Sequence, residues 1–350
     1  MTQAVPAETG LRYPWAEPPA EGEAIKVAEG VLWMRLPLPM ALDHVNVYAL
    51  DDGDSWTLVD TGMSSRRSRA IWQKLLDGPL DGRPITRVIA THHHPDHIGL
   101  AGWFQTEFGA ELLTSRTAWL FARMLQLDEQ AVPRQETLEF YRAAGMDAAI
   151  FDERKSERPF NFADVVYALP LGFRRLKQDD TIRMGGRQWD VHIGHGHAPE
   201  HLTFWSRDDN LVIAGDQILP SISSNIGVYA TEPDADPVAD WMESCTRLSA
   251  FARPENLVLG GHKLPFKGLP TRMRQLIDNH HGALQRLRAH IATPKTAGDC
   301  FPALFKRSIG KGEYGLALVE AIAHLNHLYH SGQATRTRRA DGAWLWQMKE

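Results

Sequence analysis

Cysteine is nearly absent from this 350-residue chain, which has only Cys245 and Cys300. Two isolated thiols exclude a disulfide-stapled scaffold and a cysteine-based zinc site. They read as reduced, partly buried side chains in a cytoplasmic protein. Long apolar runs are lacking too: none approaches the ~20 residues needed to cross a bilayer. Residues 1–10 lack the basic-then-apolar order of a secretory signal, so a soluble, cytosolic protein is expected. Nor is there an excess of one charge. With 38 Lys and Arg against 43 Asp and Glu, the net charge is −5, and the chain as a whole offers nothing to draw it to nucleic acid or an anionic membrane. Repeats and low-complexity tracts do not occur. What is present is 43% hydrophobic and 23% charged residues, a composition that buries a sizeable core over one large or two ordinary domains. There are also sixteen histidines, several of them clustered.

Residues 1–24 hold Pro6, Pro14, Pro18 and Pro19 and read as an extended lead-in. Short β-rich runs follow at 25–27, 31–36, 44–50 and 56–60, separated by Gly30 and the acidic turn at 51–54, as in a meander. Residues 64–76 predict a helix capped by Ser64 or Ser65, and 86–90 predict a buried strand. A helical insertion is expected at about 115–160, with apolar residues at helical spacing in 117–127 and 135–144. Strand texture returns at 189–193, 202–205, 211–214 and 257–259, with a helix near 238–251. That order suggests two sheets covered by outer helices. From 271 onward come long helices at 271–291 and 315–328, then a hairpin turning at Asp341-Gly342, which together read as a winged-helix unit.

The strongest chemical signal is Thr91-His92-His93-His94-Pro95-Asp96-His97, a His-x-His-x-Asp-His string directly after the buried strand. No packing demand calls for so many ionisable groups there, since each costs desolvation unless paired. Imidazole and carboxylate together suit zinc, iron or manganese. His93 is expected to point away from its neighbours by local alternation. Further candidates end later strands: His197 in Gly-His-Gly-His-Ala-Pro-Glu-His (194–201), Asp216 after Gly215, and His262 after Gly260-Gly261. The glycines allow close backbone approach. His197 competes with His195 and His201 for its role. Asp60 is a similar strand-end acid upstream.

These five segments, in this order, resemble the metallo-β-lactamase-fold hydrolase superfamily over residues 25–270. The resemblance implies an α+β fold, the four-layer αββα sandwich with its metals at one sheet edge, here carrying the helical insertion and, at 271–350, a winged-helix-like domain. It implies that His92, His94 and His197 hold one divalent metal, that Asp96, His97 and His262 hold a second, and that Asp216 bridges them. Asp60 would orient the histidine loop from behind. Two zinc ions are expected, with iron or manganese also fitting the donors. Such a pair lowers the pKa of a shared water toward 7; the hydroxide attacks a carbonyl or phosphorus, and Asp216 or Asp96 takes the proton.

Substrate signals are thinner. Lactonase members of the superfamily carry Tyr three residues past the bridging Asp, where this chain has Leu219. A glyoxalase II-like pattern is present without identifiable residues to grip glutathione. The stripe of Trp119, Phe121, Met124, Phe140 and Tyr141 suits an acyl chain or thioester, or simply a packed core. Between 286 and 339 nine Lys or Arg, Lys306 among them, face three acids, the local balance a phosphate backbone needs. The expectation is hydrolysis of a small ester or thioester. A phosphodiesterase or endoribonuclease using the same metals is the alternative, and a non-catalytic nucleic-acid-binding regulator a third reading. A cap or dimerisation role for the C-terminal unit leaves a homodimer open.

Overall fold

The computed structural model describes residues 10–305 and 307–349; Pro6 and Lys306 lie outside the described residues. The first half of the chain builds β1 (Ile25–Ala28), β2 (Val31–Pro37), β3 (His44–Asp51), β4 (Trp56–Val59), α1 (Arg66–Asp77), β5 (Ile85–Ile89), α2 (Pro95–Ile98), α3 (Ala101–Phe108) and β6 (Glu111–Thr114). The insertion forms α4 (Arg116–Leu127), α5 (Gln135–Ala143) and α6 (Ala148–Arg154). There follow β7 (Arg174–Arg175), β8 (Thr181–Met184), β9 (Arg187–Gly194), β10 (His201–Ser206), β11 (Leu211–Gly215), α7 (Pro237–Ser249) and β12 (Leu257–Gly260). The chain ends with α8 (Leu269–His290), α9 (Phe301–Leu304), α10 (Tyr314–His330), β13 (Ala334–Arg338) and β14 (Trp344–Met348), the order of helices and hairpin expected from the sequence.

Strands β1 to β7 lie side by side in one sheet, antiparallel up to β4 and parallel beyond it. The second sheet runs β12-β11-β10-β9-β8. Residue parity explains how the two stack. In β3, Tyr48 and Leu50 join Trp33, Val59 and Ile89 in a core shared with Ile193, Phe204, Ile213 and Leu259 of the second sheet. The alternate residues Val45, Val47 and Ala49 turn the other way, onto Trp72 of α1, Phe104 of α3 and Ala122 of α4. Likewise Val212 and Ala214 of β11 and Val258 of β12 face Trp241 of α7, Met273 of α8 and Leu325 of α10. A strand buried on both faces reads as an unbroken apolar run, as β11 does. The result is helix, sheet, sheet, helix, the expected four layers.

Caps explain the helix starts. Ser65 accepts from the Ser68 amide ahead of α1, Ser115 from Ala118 ahead of α4, and Asp236 from Ala239 ahead of α7, with Pro237 at its first position. Residues 10–24 form no helix, and Arg12 pairs with Lys267 through both backbone bonds. Among the described residues no helix is long and apolar enough to cross a membrane.

Candidate metal centre

Parallel strands bring their carboxyl ends to one side, and that is where the chemistry-bearing residues collect. Asp60 follows β4 and the 91–97 turn follows β5, its parallel neighbour. Asp216 follows β11 and His262 follows β12, again parallel neighbours. Since β9 and β11 are each antiparallel to β10, the His197 loop leaves the second sheet at the same edge.

There His92, His94, His197, His97, Asp96, His262 and Asp216 meet, although they span some 170 positions of sequence. His94 Nδ1 lies 2.9 Å from His92 Nε2 and 3.0 Å from His197 Nε2, three imidazole nitrogens facing one point. Beside them, His262 Nε2 is 3.4 Å from Asp96 Oδ2 and His97 Nε2 is 3.6 Å from the same oxygen. Asp216 lies between the two sets: its Oδ2 is 3.5 Å from His197 Nε2 and 3.2 Å from His262 Nε2, while its Oδ1 is 3.4 Å from His97 Nε2.

In His92, His97, His197 and His262 the other ring nitrogen is committed elsewhere, which fixes which nitrogen faces inward. His97 Nδ1 donates to Asp60 Oδ2 at 2.8 Å. His92 Nδ1 donates to Thr91 Oγ1, which in turn donates to Asp60 Oδ2 at 2.9 Å, and the Thr91 amide donates to Asp60 Oδ1. One carboxylate therefore orients two histidines, and it does so from a left-handed backbone position (φ 61°) that these bonds hold in place. His197 Nδ1 donates to the Asn225 carbonyl and His262 Nδ1 to the His44 carbonyl, each at 2.7 Å.

Two atoms test whether a cation fits. His97 Nε2 and Asp216 Oδ1 are buried and face each other 3.4 Å apart without forming a hydrogen bond, a costly arrangement that a cation would relieve by replacing the proton on Nε2. Glycine makes the approach feasible: a Cβ on Gly261 would lie 2.2 Å from Asp216 Oδ1 and 2.7 Å from His97 Cε1. Charge states divide the cluster. Burial, reinforced by neighbouring imidazoles, holds His92 and His94 well below the usual imidazole range, so both are neutral donors at pH 7. Burial works the same way on His97 and His262, but Asp216 and Asp96 outweigh it, holding His97 well above the usual range and pushing His262 up to about 9. A divalent cation would take over the neutralising task those two rings now share.

Comparison with known proteins agrees with this geometry. The family described as the metallo-beta-lactamase superfamily matches residues 40–262, and its metallo-beta-lactamase-like C-terminal domain matches 284–349. The chain belongs to the metallo-beta-lactamase superfamily. A crystal structure of a beta-lactamase domain protein from Burkholderia ambifaria is 35% identical and superposes with a TM-score of 0.89, covering 97% of this chain and 98% of that one. A metallo-beta-lactamase family protein from Thermus thermophilus, 24% identical, shares the fold with a TM-score of 0.77 over 92% of this chain and all of that one. In Bacillus subtilis, YqjP, named a probable metallo-hydrolase, is 26% identical over 86% of this chain and 92% of its own length.

Within this superfamily fold, the candidate residues fall into place as follows. All seven expected ligands share the centre, and Asp60 stands behind it. His93 turns away, packing on Phe121 at 5.1 Å between ring centroids. His201 does not join the ligand atoms; it stacks on His92 at 4.6 Å and accepts a hydrogen bond from the Asp216 amide through Nε2. His195 sits apart, its Nδ1 accepting from the Glu200 amide. Sequence reasoning missed Thr91 as a relay and the Asn225 and His44 carbonyls, since a backbone acceptor has no residue-type signature. The aromatic stripe is divided. Phe121 stands by the histidines, Trp119 stacks on Phe173 at 4.9 Å, and Phe140 and Tyr141 pack against the core beneath the C-terminal helices.

Proposed function

We propose that this metallo-hydrolase holds two divalent cations, zinc being the best match to the donors, and cleaves a small ester or thioester. His92, His94 and His197 would hold one ion, Asp96, His97 and His262 the other, with Asp216 shared. The observation that carries the reading is the pair of buried atoms, His97 Nε2 and Asp216 Oδ1, that face each other at 3.4 Å without a hydrogen bond. Bound there, the ions supply a water of lowered pKa and a Lewis acid for the electrophile. Asp60 holds His97 and His92 in the tautomer that leaves Nε2 free. Asp96, the more open of the two carboxylates, is placed to receive a proton and pass it to the leaving group.

The C-terminal cations support a small substrate over a phosphate backbone. Arg307 pairs with Glu313, Arg336 with Asp234, Arg339 with Asp341 and Lys311 with Glu153, while Arg286 donates to the Ala303 and Leu304 carbonyls. Elemental analysis alongside a panel of acyl-thioesters, bis-p-nitrophenyl phosphate and single-stranded RNA tests the reading. Bound metal with thioester or ester turnover is expected. Cleavage of the phosphodiesters alone, or full metal occupancy with no turnover at all, overturns it.

A further inference from the structure

Residues 216–225 carry Asp216 and the carbonyl that receives His197, yet they form no helix or strand. Their shape is imposed by the two long helices that follow the second sheet. Arg272 of α8 donates through Nε to the Leu219 carbonyl at 2.6 Å and through a terminal nitrogen to the Ile222 carbonyl at 2.7 Å. Arg272 is about nine-tenths buried, and its guanidinium is met by carbonyl oxygens rather than by a carboxylate. A buried charge is costly unless its hydrogen bonds are kept, so Arg272 resists any movement of the two carbonyls. Farther along, the Ser224 hydroxyl donates to the Asp216 carbonyl. Asn225 Nδ2 then donates to Glu320 Oε2 of α10 at 2.8 Å and to the Leu316 carbonyl at 3.3 Å, while the Asn225 carbonyl accepts from His197 Nδ1. One residue thus separates the Glu320 carboxylate from a candidate ligand.

We propose that Arg272 and Glu320 are positioning residues through which α8 and α10 set the affinity of the centre for divalent cations, by fixing segment 216–225 under His197 and Asp216. The proposal rests on the metal reading above. Partners behind metal ligands are worth about 10–100-fold in affinity when removed.

The experiment uses the full chain, stripped of metal and titrated with zinc against a chromophoric chelator, with thermal unfolding of each metal-free variant alongside. Glu320→Ala should weaken zinc binding about 10-fold or more, whereas Glu320→Gln, which keeps an oxygen for Asn225, should restore most of it. Arg272→Lys should also weaken binding, because one ammonium does not reproduce the guanidinium fork across two carbonyls. If Glu320→Ala fails to fold, Asn225→Ala breaks the same link at a partly exposed position. Wild-type affinity in Glu320→Ala or Asn225→Ala overturns the proposal. So does equal weakening by Ala and Gln at 320, or a loss that merely follows the metal-free melting temperature. Failure of the unmodified chain to bind zinc, iron or manganese would instead overturn the metal reading itself.

Discussion

Gly261 offers a clean perturbation of the centre, because it separates steric room from donor chemistry. An alanine there would place Cβ 2.2 Å from Asp216 Oδ1 and 2.7 Å from His97 Cε1. Ordinary non-bonded contact needs about 3.5 Å, so the carboxylate and the ring must each withdraw by roughly 1 Å. Gly261 is not among the positive-φ residues, so alanine meets no backbone strain, and the overpacking cost should stay within about 1–3 kcal/mol. Chemistry is less forgiving, since a 1 Å misplacement of a reacting or ligating group costs on the order of 100-fold. Gly261→Ala is therefore expected to lose metal and at least about 100-fold in kcat/KM, while the metal-free protein melts within a few degrees of its parent. Gly260→Ala is the control: its nearest neighbours would be the Ile218 carbonyl at 3.2 Å and Leu219 Cδ2 at 3.3 Å, contacts that small shifts relieve. Metal content by mass spectrometry and kinetics on one thioester decide the matter. Full metal content and turnover in Gly261→Ala would refute the argument that this gap exists for the centre.

Other outcomes follow from the same geometry. His94→Ala and Asp216→Ala should each abolish metal binding and turnover with circular dichroism unchanged; activity retained in both would end the assignment. Asp60→Asn keeps the side chain's shape but offers an amide to the His97 and Thr91 donors, so a 10–100-fold fall in metal affinity is expected on chelator competition. Far from the centre, His280 of α8 and His324 of α10 stack 3.1 Å apart between ring nitrogens, fully enclosed. Burial, reinforced at His280 by His324 and other imidazoles and at His324 by His327 and Arg286, pushes them down to about 3 and about 4, against ~6.5 in an unfolded chain. The folded state binds fewer protons, so the stability they allow is complete above pH ~6.5 and is lost as pH falls toward 4. At pH 5 that is up to about 2 kcal/mol for each ring. Urea unfolding of wild type and His280→Leu at pH 7 and pH 5 should show a shallower decline in the variant, and parallel declines would contradict the argument.

Much of the fold was legible because its signals are local. The buried runs of β3, β5 and β11, the Ser65 cap within a two-residue window, and the Asp341-Gly342 turn all show in short stretches. So do the ligands, four of which lie within six residues. Other elements leave little trace: β7 is two arginines, and α6 has no fully buried residue to impose a period. Pairing partners decide such segments, not their composition. Choosing His197 over His201 needed spacing; the structure shows why both are present, one among the donor atoms and the other stacked behind His92. The stripe misleads as a single surface because helical spacing marks an apolar face without saying what covers it. In Trp119 the cover is Phe173, and in Phe140 it is the C-terminal core.

The hydrophobic cluster that joins Val212 and Val258 to Leu284, Leu325 and Trp346 has an implication for how this chain holds together. Helices α8 and α10 are the roof of the second sheet rather than an attachment to it, so no cut between them leaves two self-sufficient parts. Truncation after 268 would strip much of the cover from those valines, and protection of the β11 amides from exchange should be lost in the same opening event that frees α10.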